Sequence, residues 1–191
     1  MHLTITLVGD SFVGKTTLLN FLRKRTSDKY QPTIFENIYH FITVNNTKYE
    51  LHISDTSGSP EYTELRERVY TQTDLFLVCF AVDNITSLEK ITSYWLPNLP
   101  DKPKIILGLK NDIRYQQNNN SRQKIIQFKE GSEVAGKYNL PYLEYGFIAD
   151  NTLKQNTLDI EEILKKGIEI INDTNKSKDE NKNIKKRCSI M

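Results

Sequence analysis

Gly9-Asp10-Ser11-Phe12-Val13-Gly14-Lys15-Thr16 is the stretch that decides the fold. It follows an apolar run from Leu3 to Val8, where Leu3, Ile5 and Leu7 alternate with Thr4 and Thr6, and it opens a helix-like segment from Lys15 to Arg25. G-x-x-x-x-G-K-T between a strand and a helix is the order that a phosphate-binding loop requires. Glycines at both ends let the backbone curl into a nest of inward N–H groups, and the helix start adds partial positive charge. Lys15 can then reach the β- and γ-phosphates of a nucleotide, and the Thr16 hydroxyl can ligate Mg²⁺. Thr17 belongs to the same nucleotide-binding set.

Outward from the loop, strand-like and helix-like segments alternate. Ile38 to Val44 and Tyr49 to Ser54 read as a hairpin around Asn45-Asn46-Thr47. Leu75 to Ala81 is a continuous apolar run, the mark of a strand buried on both faces. A helix is expected over Ser87 to Leu96, a strand over Lys104 to Leu109, a helix over Glu130 to Tyr138 and a short strand over Tyr142 to Tyr145. A last helix from about Leu158 to Asn172 carries Ile160, Ile163, Leu164, Ile168 and Ile171 at helical spacing. The pattern predicts an α/β P-loop domain, a mostly parallel six-stranded sheet with helices on both faces, over residues 1–172. Ligands belong at the carboxyl ends of its strands.

With 191 residues, a single domain with a real core is expected. The formal net charge of +2 gives no general case for nucleic-acid binding. Asp173 to Arg187 holds six basic and three acidic residues, so the positive charge gathers in the tail. That segment has almost nothing apolar and is expected to be a flexible polybasic linker. Cys79 and Cys188 are too few and too differently placed for a disulfide framework, which points to a reducing compartment. The longest apolar run, Leu75 to Val82, is far too short to span a bilayer, and an intracellular protein is expected. His2, His40 and His52 lack ligand spacing and read as structural; Trp95 and Cys79 read as packing residues.

Asp55 closes a strand, where its carboxylate can hold Mg²⁺ through water, and Gly58 offers a backbone N–H to a γ-phosphate. Lys110-Asn111-Asp112 follows another strand, and the Asp112 carboxylate can accept two N–H bonds from guanine that adenine cannot supply. These motifs together resemble the Ras superfamily of small GTPases, and within it the Rho family. Tyr30-Gln31-Pro32-Thr33-Ile34-Phe35-Glu36-Asn37-Ile38 is similar to the Rho switch I and effector loop, with Thr33 at the threonine that senses γ-phosphate and Mg²⁺. Asp55-Thr56-Ser57-Gly58 resembles the opening of switch II. The polar Tyr115 to Lys129 stretch sits where the Rho insert does and is shorter. The resemblance covers residues 3–191 and implies a small G-domain that binds GTP or GDP with Mg²⁺. It also implies effector proteins at switch I, together with exchange factors and dissociation inhibitors.

Several positions depart from the family pattern. Ser11 stands where the family has glycine, and its side chain crowds the space that an activator's arginine finger must enter, a device worth about 10³ to 10⁵ in rate. Ser59 stands at the water-positioning glutamine and is too short for that work, while Pro60 biases it toward extended conformations. These two changes resemble the Rnd branch, held to be GTP-bound and poor at hydrolysis. No aromatic residue lies between Leu22 and Lys29 to stack on guanine, with Thr26 nearest the expected place; such stacking is worth about 1 to 3 kcal/mol. Leu109 replaces the Asn or Thr that braces the loop. Gly146-Phe147-Ile148 replaces the Ser-Ala-Lys loop, leaving the Phe147 region to contact the guanine oxygen. Residues Cys188-Ser189-Ile190-Met191 form a C-a-a-X box whose terminal Met favours a farnesyl group. One lipid chain binds weakly, so Lys185, Lys186 and Arg187 are expected to add attraction to an anionic membrane. The expected location is the cytoplasmic face of a membrane, with the plasma membrane favoured. An ordinary cycling GTPase and a nucleotide-indifferent interaction module are the competing readings.

Overall fold

Strand β1 (His2–Val8) takes the middle of the sheet because Thr4 to Val8 are all buried. It pairs in parallel with β3 (Thr47–Thr56) on one side and β4 (Leu75–Ala81) on the other. All seven residues of β4 are buried, as a strand covered on both faces requires. Beyond it lie β5 (Lys104–Leu109) and β6 (Tyr142–Tyr145), again parallel. On the far side β2 (Phe35–Val44) runs antiparallel to β3. Asn45 and Asn46 join the two with φ of 48° and 62°, the left-handed pair that a tight primed hairpin needs. In this computed structural model the order is β2-β3-β1-β4-β5-β6, the mostly parallel six-stranded sheet expected. The structure describes residues 1–23, 33–116, 124–146 and 159–188, of which 178–188 are described as backbone alone.

The sheet separates two cores. On one face α1 (Lys15–Leu22) and α6 (Ile160–Cys188) set Leu18, Leu19, Ile163, Leu164 and Ile168 against Ile5, Leu7, Leu75 and Ile105. On the other, α2 (Thr63–Tyr70), α3 (Ile85–Lys90) and α5 (Phe128–Gly136) bring Tyr70, Leu88 and Ala135 onto Phe76, Val78, Phe80 and Ile106. Helix α4 (Ile113–Gln116) is a single turn after the Lys110-Asn111-Asp112 segment.

Helices α3, α5 and α6 differ from expectation, α5 by running two residues earlier, over Phe128–Gly136, where Glu130 to Tyr138 is expected. Helix α3 starts earlier than Ser87 because Asn84 caps it, accepting from the Ser87 N–H at 3.2 Å. It then widens into a π turn over Ile91–Trp95 and tightens over Leu96–Asn98, so Ser87 to Leu96 is not one regular helix. Helix α6 does not end near Asn172 but continues to Cys188, in place of the linker expected over 173–187. Polar composition removed the packing signal but not the helix: residues 173–188 contain neither Pro nor Gly and are rich in Lys.

Candidate nucleotide site

The phosphate loop is built by close backbone approach. Gly9 has φ of 141°, and a Cβ there would lie 2.2 Å from the Cys79 carbonyl oxygen on β4, so only glycine fits. Lys15, 6% exposed, folds back over the loop and donates to the carbonyls of Gly9 at 2.7 Å and Asp10 at 2.8 Å. Burial lowers its pKa, and the Asp55 carboxylate opposes that shift. The ammonium is thus held at the loop mouth.

Three oxygens converge beside it. The Thr16 hydroxyl donates to Asp55 Oδ2 at 2.5 Å and lies 2.9 Å from the Thr33 hydroxyl. Asp55 Oδ1 is buried with no hydrogen-bond partner among the described residues. Burial raises the Asp55 carboxyl above the ordinary carboxylate range, opposed by the bond from Thr16 and by Lys15. Two hydroxyls and an under-satisfied carboxylate are the hard oxygen donors that suit Mg²⁺, so the residues present fit that ion. Thr16 and Thr33 would hold it directly and Asp55 through water; the ion would supply charge neutralisation at the phosphates.

A cleft of about 350 Å³ runs over these groups, lined by Ser11, Phe12, Gly14, Lys15, Thr16, Thr17, Thr33, Gly58, Ser59 and Lys110 among others. A Cβ on Gly58 would lie 2.3 Å from Asp10 C and Ser11 N, so the start of the second switch lies directly against the loop. Ser11 and Ser59 both line this cleft. Val13 is 1% exposed and packs into the core, contributing only backbone to the loop. Lys110 turns the chain at φ of 63°, bonds Asp83 at 3.2 Å and flanks the cleft, while Asp112 is not among the lining residues. Asn111 N–H donates to the Tyr145 carbonyl at 3.3 Å, which joins this loop to the end of β6. Leu109 is 2% exposed and lies under Gly14, an apolar brace in place of a polar one.

In the first switch, Ile34 is 52% exposed and its carbonyl accepts the Ser57 N–H at 3.1 Å, so the two switches are joined directly. Glu36 pairs with Arg23, and Asn37 Oδ1 accepts from Ser54 at 2.9 Å. Ile38, placed in the effector loop from sequence, turns its side chain into the core and offers only backbone to a partner. Tyr30, Gln31, Pro32, Thr26, Phe147 and residues 189–191 lie outside the described residues, as do the side chains of Lys185, Lys186, Arg187 and Cys188.

A family model described as the Ras family matches residues 4–166. The chain is 40% identical to GTP-binding protein rho3 of Schizosaccharomyces pombe over 147 residues, 73% of this chain and 72% of that one. It is 37% identical to Ras-like GTP-binding protein RHO1 of Entamoeba histolytica over 153 residues, covering 77% of this chain and 69% of the relative. This chain is a Rho-type member of the Ras family.

For a Ras-family domain, the most informative residues beyond the motifs are Trp95, Arg66 and Glu144. Arg66 is 2% exposed, its guanidinium lies 5.1 Å from the Trp95 ring centroid, and it donates to the carbonyls of Ser57 at 2.9 Å and Ser59 at 2.6 Å. It therefore fixes the backbone on both sides of Gly58. Glu144, fully buried on β6, takes two bonds from Arg114 at 2.5 and 2.8 Å and one from the Tyr142 hydroxyl. Arg114 also donates to the Ile126 carbonyl, which pins the turn after Asp112. A lone Glu inside a strand and an Arg two residues past the K-N-D segment are the signals that could have exposed this pair.

Proposed function

We propose that the chain is a lipid-anchored Rho-type switch that holds GTP with Mg²⁺, hydrolyses it slowly and presents the 30–38 segment to effector proteins. The observation that carries this reading is the placement of Ser11 and Ser59 in one cleft with Lys15, Thr16 and Thr33. The phosphate cradle is intact; the side chain that would orient the attacking water is not. Even a competent small GTPase without its activator turns over at only about 10⁻⁴ s⁻¹. Loss of the glutamine, with Ser11 beside the finger's path, leaves the loaded state to follow the more abundant nucleotide. In this reading Gly9 to Thr17, Thr33, Asp55, Gly58, Lys110, Asp112 and Phe147 bind the nucleotide, and Gly58 and Ser59 are the remnants of the hydrolytic site. Exchange factors and dissociation inhibitors are the regulators that suit such a protein.

Anchoring rests on Cys188 with Lys185, Lys186 and Arg187, a prenyl signal beside a basic run. No helix among the described residues is long and apolar enough to cross a membrane. The body is residues 1–172, the basic segment 173–187 and the lipidation box 188–191, with the cytoplasmic face of the plasma membrane as the site of action.

Single-turnover hydrolysis on purified protein, with analysis of the nucleotide it carries, tests the proposal. GTP as the main bound species with little conversion to GDP is expected. A rate equal to that of ordinary small GTPases would establish a cycling enzyme, and an empty site would establish an interaction module. For the anchor, Cys188→Ser is expected to move the protein from membrane to soluble fractions; unchanged sedimentation would refute the lipid.

A further inference from the structure

The second switch is held by the chain's own groups. Ser57 donates its N–H to the Ile34 carbonyl at 3.1 Å, and its hydroxyl accepts the Ser59 N–H at 3.2 Å. The Ser59 carbonyl in turn accepts from the Tyr62 N–H at 3.2 Å and from Arg66 at 2.6 Å. Arg66 reaches the Ser57 carbonyl with the same nitrogen, at 2.9 Å, and gives its other terminal nitrogen to the Thr63 and Tyr94 hydroxyls at 2.9 and 3.3 Å. Pro60 fixes φ at the start of the single helical turn Pro60–Tyr62. Gly58 lies inside this set, with its backbone against Asp10 and Ser11. Every one of these bonds is between protein groups.

A γ-phosphate ordinarily orders the switches of a GTPase, and its loss releases them. Release requires that what remains be too weak to hold the segment. Here it would strip a guanidinium that is 2% exposed of the two carbonyls it serves, a costly state for a buried charge. A γ-phosphate adds one contact, at the Gly58 N–H, and the bonds within the chain outnumber it. We propose that Ser57 and Arg66 are positioning residues that hold residues 57–62 in one arrangement whether GDP or GTP is bound, so this surface does not report the nucleotide. This rests on the nucleotide-site reading above and adds a regulatory property to it. The Gly58 N–H is then aimed before a γ-phosphate arrives.

The test is hydrogen–deuterium exchange of the peptide covering residues 57–66 in the full-length chain, loaded with GDP or with guanylyl imidodiphosphate. Wild type, and Ser57→Thr, which keeps the hydroxyl, are expected to exchange at rates within about threefold of each other in the two nucleotide states. Ser57→Ala and Arg66→Lys are expected to exchange about tenfold faster with GDP than with the analogue. A merely local role would speed exchange equally in both states and leave the ratio unchanged. The β4 peptide Leu75–Ala81 is the internal control, because a damaged fold would accelerate it too. Should Arg66→Lys fail to fold, Ser57→Ala against Ser57→Thr decides. A wild-type ratio above the threefold range, or a Ser57→Ala ratio that stays within it, overturns the proposal. A wild-type chain that loads neither nucleotide overturns the site reading as well, so the two failures are distinct.

Discussion

Trp95 donates its indole N–H to Asp10 Oδ1 at 3.0 Å across 85 residues of sequence, while Lys90 holds the other carboxylate oxygen at 2.9 Å. The same indole carries the Arg66 guanidinium on its face, so the loop residue Asp10 and the Ser57–Ser59 segment are tied to one ring. The π turn at Ile91–Trp95 aims the indole at the loop, and such turns recur at functional sites. Trp95→Phe removes a bond to a charged acceptor and is expected to cost about 2 to 3 kcal/mol in urea unfolding. Asp10→Asn keeps the acceptor and loses only the half-exposed Lys90 pair, so it should cost under about 1 kcal/mol. Equal losses would refute the assignment of the indole bond as the stronger tie.

Gly58→Ala tests the contact between the second switch and the loop. The added methyl has no room against Asp10 and Ser11 and must push residues 57–59 outward. On the proposed role, in which the Gly58 N–H meets the γ-phosphate that GDP lacks, GTP affinity is expected to fall by at least about tenfold more than GDP affinity. Competition binding gives the ratio, and parallel losses for both nucleotides would exclude this role for Gly58.

Glu144→Gln leaves Arg114 with its charge and without its counter-ion in a largely buried place. About 3 kcal/mol of stability should be lost, whereas replacing both residues by apolar ones of similar size should recover most of it. A double-mutant cycle by chemical denaturation measures the coupling; additive losses would show that the pair does not act as a unit.

The motif residues were legible from sequence because their chemistry is local: glycines at fixed spacing, Lys15 and Thr16 next to each other, Asp55 at a strand end. Trp95, Arg66 and Glu144 were not, since each owes its role to partners far along the chain. Trp95 reads as an ordinary core residue until the sheet order brings α3 to the loop, and Arg66 lies in the mostly polar helix Thr63–Tyr70. Helix α6 extends past the expected end because amphipathic periodicity reports packing, and the polar sequence after Asn172 carries no such period. Leu109 was recognised as a departure, but that it lies beneath Gly14 came only from the fold.

Cys79 offers a probe of pH. It is completely buried on β4, and burial pushes its thiol from the ordinary 9.0 up to about 12. Above pH 9.0 the unfolded chain releases this proton while the folded chain keeps it, so stability falls as pH rises from 9.0 toward about 12. Cys79→Ala should flatten that part of the stability profile relative to wild type. The native thiol should also resist alkylation until the chain unfolds, followed by mass spectrometry of its peptide; rapid labelling under native conditions would contradict the burial.

Ile171 is the last buried residue of α6 among the described side chains, and Asn172 still donates to the Tyr49 hydroxyl at 3.0 Å. The sixteen residues from Asp173 to Cys188, at about 1.5 Å each, continue the helix for roughly 24 Å. A continuous helix behaves as a rod. On the proposed anchoring at Cys188 it would set a stand-off between residues 1–172 and the membrane, and it would carry their rotation to that point. Two copies held at their ends would then share a restricted range of tilt, so the first switch would meet its partners from a preferred direction.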